Sequence, residues 1–176
     1  MSKVSHDSET PAHGQQVISA CAFIHHEFDG VRKVFLPKRA GTKKFLPGVY
    51  ELPGGHIDFG EDLVDGLRRE IHEEFGMDVS IGDPFAAFTY ENRIKGSHTV
   101  EAIYFAQFVG ALDKIVLNPE DHSSFEWFSE EEVIARREAI VPTEHVTHTH
   151  SDDPEYLAIL RGFELLRGEP TNFGTL

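Results

Sequence analysis

Three glutamates in the middle of the chain have the spacing of neighbours on one face of a helix. Glu70, Glu73 and Glu74 stand at positions i, i+3 and i+4 of a segment whose apolar residues repeat with a helical period. On a helical wheel Glu74 also falls at the edge of the apolar stripe, where a half-buried carboxylate destabilises the fold unless something compensates its charge. A divalent cation would do so, because hard cations such as Mg²⁺ prefer oxygen ligands.

Taken alone, three helical glutamates are more simply explained as a solvated acidic face, and the sequence before the helix decides between the two interpretations. Gly55 is followed by five residues, Glu61, seven residues and then REIHEEFGM at positions 69–77. This pattern resembles the Nudix box, G-x5-E-x7-R-E-U-x-E-E-x-G-U with U a bulky aliphatic residue, at every fixed position. The LPGG stretch at 52–55 and the acid–His pair at 121–122, ahead of a Trp-containing strand, are also typical of the Nudix family.

The resemblance covers roughly residues 17–135 and implies an α/β fold, the Nudix-type α/β/α sandwich around a mixed β-sheet. It also implies a set of oxygen ligands for Mg²⁺ or Mn²⁺: Gly55 (through its carbonyl), Glu70, Glu73 and Glu74. Glu61 and Arg69 are expected to form an ion pair that fixes the loop to the helix and so holds the Gly55 carbonyl in place.

The reaction that this resemblance implies is attack of water on phosphorus in a nucleoside diphosphate linked to a group X. A general base is needed, and Nudix enzymes take it either from the box or from a later acidic residue. Glu73 or Glu74 is the candidate in the box, and Asp121, with Glu120 beside it, is the later one. We favour Asp121 because it directly precedes His122, although many relatives carry the longer glutamate there. His122 itself is interpreted as a loop histidine.

The substrate is less well specified by the sequence. Lys38, Arg39, Lys43 and Lys44 form a basic patch before the box that could meet a phosphate tail, and residues 48–55 resemble branches acting on nucleoside triphosphates, including damaged ones. We therefore predict a nucleoside triphosphate pyrophosphohydrolase, with the small-molecule nucleotide contacted by three residues: Arg39, Lys44 and Glu51. Hydrolysis of ADP-ribose or a nucleotide sugar is the alternative within enzymes.

Two other classes of protein share the scaffold. A non-catalytic, nucleotide-sensing Nudix-like module is the alternative outside enzymes, and the intact box carboxylates argue against it. An isoprenoid isomerase is a more distant alternative, and Cys21 lies in a predicted first strand, where it resembles a core residue more than a catalytic one.

The elements that must position these residues can be read from hydrophobic patterning and turn residues. Strands are predicted at 17–24, 31–36, 50–52, 79–90, 99–109 and 125–128, with a basic loop at 37–48 and a sharp break at 53–55. Helices are predicted at 62–75, 129–135 and 153–166. Asp62 is expected to cap the central helix together with Asp65 in an acidic capping box, and Gly76 to end it.

Composition limits the remaining possibilities. The 176 residues suit one domain at 16–176 behind a flexible lead-in at 1–15. A net charge of −14 makes duplex nucleic acid an unsuitable partner. No apolar run reaches the length of a membrane span, the start lacks a signal peptide, and Cys21 is the only cysteine, so a cytoplasmic protein is expected. The resemblance leaves a homodimer open, and His145, His148 and His150 are expected to lie in a loop.

Overall fold

The computed structural model describes residues 10–140 and 153–168 as a mixed sheet with helices on both faces. The strands are β1 (Gln16–Phe28), β2 (Val31–Arg39), β3 (Gly54–His56), β4 (Asp78–Asn92), β5 (Ser97–Val109) and β6 (His122–Ser129). The helices are α1 (Leu63–Phe75), α2 (Glu130–Ala135), α3 (Arg137–Ile140) and α4 (Pro154–Leu166). Within these residues no helix is both long enough and apolar enough to cross a membrane.

The sheet has the strand order β4-β5-β1-β2-β6, with β3 also paired to β1. The β1–β5 pair is parallel and the other pairs are antiparallel, so the sheet is mixed, as predicted. Strand β1 changes partner along one edge: its residues 19–21 pair with β3, whereas residues 25–28 pair with β2. The sheet therefore forks between β2 and β3.

Alternation along β1 separates two hydrophobic cores. Ala20, Ala22 and Ile24 are fully buried on one face, where they join the cluster that contains α1. Cys21 and Phe23 point to the other face and join the cluster that contains α2 and α4. A strand with both faces buried reads as a continuous apolar run rather than an alternating one. The arrangement confirms the α/β/α sandwich.

The prediction of a strand at 50–52 is wrong, because the strand in this part of the chain begins two residues later, at Gly54. Tyr50 makes only an isolated bridge to Lys38, and β3 begins at Gly54. Gly54 has φ 141°, a conformation that only glycine adopts readily. A side chain there would also collide with the Ala20 carbonyl oxygen of β1. The two glycines that indicated a break instead allow a close strand pair. The predicted loop at 37–48 also begins late, since β2 continues to Arg39.

The helix boundaries follow from capping residues. Asp62 accepts hydrogen bonds from the Val64 and Asp65 amides at 2.9 and 3.4 Å, and Gly76 ends α1 with φ 63°. The Asp65 carboxylate does not complete the predicted capping box, since it pairs with Arg68 at 3.2 Å.

A reciprocal capping box is present at α2 instead, between Ser129 and Glu132. Asp153 caps α4, one residue before Pro154.

The described part of the predicted lead-in contacts the turn between β4 and β5. Ala12 is buried and donates a backbone hydrogen bond to Lys95 at 2.8 Å, and the Gly14 amide donates to Gly96 at 2.9 Å. Residues 10–15 therefore contact the domain. The predicted loop of three histidines, His145, His148 and His150, lies outside the described residues.

A surface ion pair on β6 makes a testable contribution to acid stability. Arg136 donates to Glu126 at 2.6 and 3.2 Å and Tyr50 also donates to it, which lowers the pKa of Glu126 to about 2. A lowered acid pKa stabilises the fold above the ordinary value of 4.5, and the contribution is lost as the pH falls toward 2. Glu126 is exposed, so we expect Glu126→Gln to lower the unfolding free energy by about 0.5–1 kcal/mol at pH 6 and by less at pH 3 in urea titrations. An equal loss at both pH values would contradict this.

Candidate active site

The three glutamates of α1 differ sharply in exposure. The side chain of Glu73 is 61% exposed, whereas that of Glu70 is 15% exposed. Glu74 is largely buried, and its Oε2 has no hydrogen-bond partner among the described residues. Burial raises the pKa of Glu74 well above its usual range, and the charges of Glu51, Glu70 and Asp121 raise it further. A carboxylate in this setting is destabilising unless a cation compensates it.

Arg69 connects the loop before the helix to the glutamates on it. Its guanidinium donates to both oxygens of Glu61 at 2.9 Å and to the His56 carbonyl at 3.1 Å. It also contacts the carboxylates of Glu70 at 2.7 Å and Glu73 at 3.4 Å. A planar guanidinium suits this bidentate arrangement, which lysine could not reproduce. The structure thus places Glu61 and Arg69 in one ion pair, with the loop carbonyl held at His56, the residue after Gly55.

Gly55 allows Glu70 to pack against the loop backbone. A Cβ built at Gly55 would lie 2.6 Å from Glu70 Oε2 and 2.8 Å from its Cδ. The carboxylate therefore occupies the space where any other residue would put a side chain. The glycine that starts the box pattern is required by the position of Glu70.

The two neighbouring glycines are expected to respond differently to alanine. Gly55→Ala meets only the movable end of Glu70, so we expect a small loss of stability, on the order of 1 kcal/mol, with hydrolysis reduced at least about tenfold. Gly54→Ala meets the β1 backbone at a positive φ and should lower stability by about 3 kcal/mol or more. Chemical unfolding and hydrolysis assays on both variants measure these two effects. Equal destabilisation by the two substitutions would contradict the view that Gly55 faces a movable side chain and Gly54 a fixed backbone.

A cavity of about 220 Å³ opens beside the α1 glutamates. Seven of the residues predicted from the sequence line it: Arg39, Glu51, Gly55, Glu70, Glu73, Glu74 and Asp121. Glu61 and Arg69 lie behind these residues rather than in the wall. Lys44, predicted to contact substrate, is exposed and does not line the cavity, whereas the neighbouring Lys43 does.

Asp121 reaches the cavity and is held in place there. Lys43 Nζ donates to its Oδ1 at 2.7 Å, and Asn118 Nδ2 donates to its Oδ2 at 2.7 Å. The Asp121 carbonyl also accepts the Ala40 amide at 2.8 Å. Glu120 is exposed, and it does not line the cavity. The structure therefore separates two adjacent acids that the sequence could not distinguish.

The interpretation of His122 as a loop histidine is wrong. His122 is the first residue of β6, only 3% exposed, and its ring stacks on Phe75 at 5.3 Å between centroids. Its Nε2 lies 3.1 Å from Glu51, and Arg39 Nη1 donates to both oxygens of the same carboxylate at 3.0 Å. Burial opposes the charge on Glu51, but Arg39 and His122 outweigh it and lower the pKa of Glu51. Arg39 and Glu51 thus form a partly buried charged pair in the cavity wall.

Comparisons with known proteins agree with this geometry. The sequence model of the NUDIX domain family matches residues 16–149. The chain belongs to the Nudix family. It is 31% identical over 118 residues to the uncharacterized Nudix hydrolase YfcD of Escherichia coli K12, an alignment that covers 65% of this chain and 61% of YfcD. The chain thus spans about three fifths of the length of the curated relatives it matches first.

Two solved structures illustrate the shared fold. A MutT NUDIX hydrolase from Burkholderia pseudomallei is 27% identical, with a TM-score of 0.56 over 67% of this chain and 86% of that one. An Ap4A hydrolase of C. elegans, solved as a binary complex, is 22% identical, with a TM-score of 0.64 over 86% of this chain and 98% of that one. The second likeness shows the fold alone, because its sequence identity is low.

The donor set of this Nudix site fits a hard divalent cation, although the residues do not form a finished coordination shell. Among the described ranges, no three acidic, histidine or cysteine side chains are gathered closely enough to hold a metal. Arg69 occupies the carboxylates of Glu70 and Glu73, whereas Glu74 Oε2 is left without a partner. Oxygen donors around one uncompensated buried carboxylate are what Mg²⁺ or Mn²⁺ would require.

Sequence reasoning missed the acids at the other end of the cavity. Glu101, on β5, is 5% exposed, and burial raises its pKa to about 7. Glu155, on α4, accepts a hydrogen bond from the Leu52 amide, and burial raises its pKa well above the usual range. The signal for Glu101 was its inward position in an alternating strand, between Thr99 and Ile103. Glu155 carried no such signal, because the first turn of a helix commonly contains acids.

Proposed function

We propose that this Nudix protein catalyses metal-dependent hydrolysis of a phosphoanhydride bond in a nucleoside diphosphate linked to a group X. The observation that carries the proposal is the buried carboxylate of Glu74, whose Oε2 has no partner within the described residues and which lines the cavity beside Glu70 and Glu73. A group that is unfavourable in the isolated protein and faces a cavity is typical of a site that binds a ligand.

The proposed roles of the chain's own residues follow from their contacts. Glu70, Glu73, Glu74 and the Gly55 carbonyl would hold Mg²⁺ or Mn²⁺. Such a cation, when bound, neutralises phosphate oxygens and lowers the pKa of a water ligand.

Arg69 and Glu61 fix the loop against the helix, which keeps Gly55 and Glu70 in register. Asp121, oriented by Lys43 and Asn118, would take the proton from the attacking water.

Among the linked groups X, we favour a phosphate, so that the substrate is a nucleoside triphosphate, including damaged or non-standard ones, and the products are pyrophosphate and a monophosphate. The support is the pair of cationic side chains, Arg39 and Lys43, in the wall of the same cavity as the glutamates. Each is paired with a carboxylate, Glu51 or Asp121, so this part of the wall carries little net charge, whereas the α1 glutamates would need a bound cation before a polyphosphate enters. A strongly negative chain would otherwise repel such a substrate.

A substrate panel tests the proposal. Canonical and oxidised nucleoside triphosphates, ADP-ribose, a nucleotide sugar and a dinucleoside tetraphosphate are incubated with Mg²⁺ or Mn²⁺, and the products are separated by ion-exchange chromatography. Pyrophosphate and a nucleoside monophosphate are the expected products. A sugar phosphate would instead identify the nucleotide-sugar class. Binding of these compounds without turnover of any of them would favour the sensing module and overturn the proposal.

A further inference from the structure

The end of the cavity away from the α1 glutamates is formed by side chains on one face of the sheet. Ser19 of β1 and Phe88 of β4 are both register partners of Glu101 on β5, so the three residues stand side by side. Cys21 and Tyr90 stand on the same face, two residues further along their strands. All five line the cavity. This group, which we call the floor, lies on the face that packs toward α4 rather than α1.

The two oxygens of Glu101 have different surroundings. Ser19 Oγ donates to Glu101 Oε2 at 3.0 Å. Oε1 is buried and has no hydrogen-bond partner in the described parts of the chain. A buried acceptor left unsatisfied is costly, so it is commonly completed by a ligand or a water molecule. Glu101 therefore presents one unused acceptor in a fixed orientation.

Three aromatic rings line the cavity with this acceptor. Phe45 and Tyr90 are nearly parallel, with 13° between their planes and 6.2 Å between their centroids, and Phe88 lies 6.4 Å from Tyr90. Phe45 comes from the loop after β2, whereas Phe88 and Tyr90 come from β4. Aromatic faces beside a single buried acceptor suit a flat ligand that carries an N–H donor on its edge. A sugar or a phosphate group lacks the flat surface.

We propose that the floor and Phe45 together bind a purine base, which packs against the aromatic rings that line the cavity and donates a hydrogen bond from its exocyclic amino group to Glu101 Oε1. Glu101 is then a specificity-determining residue of the hydrolase proposed above, and the inference rests on that function. Guanine and adenine each carry an exocyclic amino group that donates hydrogen bonds from the edge of the base. Purines offer a larger stacking surface than pyrimidines, which favours them on a wall of three rings.

The test compares nucleotides that differ by one amino group. GMP is paired with IMP, and AMP with purine riboside monophosphate; binding is measured by isothermal titration calorimetry. Monophosphates carry no scissile anhydride, so base recognition is measured separately from hydrolysis. In the parent chain we expect the amino-bearing member of at least one pair to bind about tenfold more tightly or better. In Glu101→Gln, Ser19 can donate to the amide oxygen and leave the NH₂ group toward the base. The ratio of the two dissociation constants within a pair should then fall to near one.

Two further variants keep the result interpretable. Glu101→Met removes the acceptor at similar length and should abolish discrimination in the same way, whereas Glu91→Gln, an exposed glutamate on β4, should leave the ratio unchanged. Thermal melts establish that each variant is folded. The inference is overturned if neither pair differs in the parent chain, if discrimination persists in both Glu101 variants, or if no monophosphate binds. Discrimination between the monophosphates without hydrolysis of any compound in the substrate panel would overturn the proposed function and leave the base site standing.

Discussion

Replacing Glu74 by glutamine is expected to reduce metal-dependent hydrolysis at least about 100-fold while leaving the protein folded. The carboxylate is largely buried beside the cavity, and an amide of the same shape cannot supply its charge to a cation. Initial rates with Mg²⁺ and Mn²⁺ at saturating nucleotide measure the loss. Circular dichroism and thermal melting establish that the fold is intact.

The same substitution should act on stability in the opposite direction. Glu74 Oε2 has no partner among the described residues, and burial raises the pKa of this group well above its usual range. Glutamine removes the unfavourable charge. With divalent metal ions removed by a chelator, we therefore expect the unfolding free energy to stay the same or to rise by about 1–2 kcal/mol. Mg²⁺ should raise the melting temperature of the parent chain, since a ligand of the folded state stabilises it. It should have little effect on Glu74→Gln.

Asp65→Asn is the matched control for this experiment. It makes the same change of charge on the same helix, but the Asp65 side chain is 72% exposed and its carboxylate pairs with the surface residue Arg68. We expect it to keep full activity and the full Mg²⁺-induced stabilisation. Full activity in Glu74→Gln, or a melting temperature that still rises with Mg²⁺, would contradict the assignment of Glu74 as a ligand.

The helix that carries this chemistry was predictable because its signals are local. Asp62, Gly76 and the spacing of Leu67, Ile71 and Phe75 are properties of neighbouring residues, and each has the expected role in the structure. The half-buried position of Glu74 could also be read from the wheel, since it depends only on the helical period. Local patterns of this kind survive folding because tertiary contacts reinforce them.

The features that escaped prediction all depend on contacts between distant residues. Strand β3 exists because Gly54 approaches the β1 backbone about thirty residues earlier in the chain, which no window around Gly54 can show. His122 is buried because Phe75 and Glu51 close around it, not because of its neighbours in sequence. Glu101 was hidden in an otherwise ordinary strand, and its role depends on Ser19 and Tyr90 from two other strands.

The second large effect is expected at Asp121, where asparagine should lower kcat by about 10²–10⁴-fold with little change in KM. Asparagine keeps the shape of the side chain and can still accept the hydrogen bond from Lys43, but its NH₂ group would face the Asn118 Nδ2 donor, so thermal melting must establish that the variant is folded. What it loses is the ability to take a proton from water. Steady-state kinetics on a nucleotide that the panel identifies as a substrate separates the two parameters.

Two companion variants distinguish a proton acceptor from a purely structural acid. Glu120→Gln changes the adjacent but exposed acid, which does not line the cavity, and should retain activity. Asp121→Glu restores a carboxylate and should recover much of the lost kcat, because a general base requires the charge more strictly than the length of the side chain. If Asp121→Asn raises KM and leaves kcat unchanged, Asp121 only binds substrate. We would then expect the general base to lie in the box, where Glu73 and Glu74 are the candidates and Glu73 is the more exposed of the two.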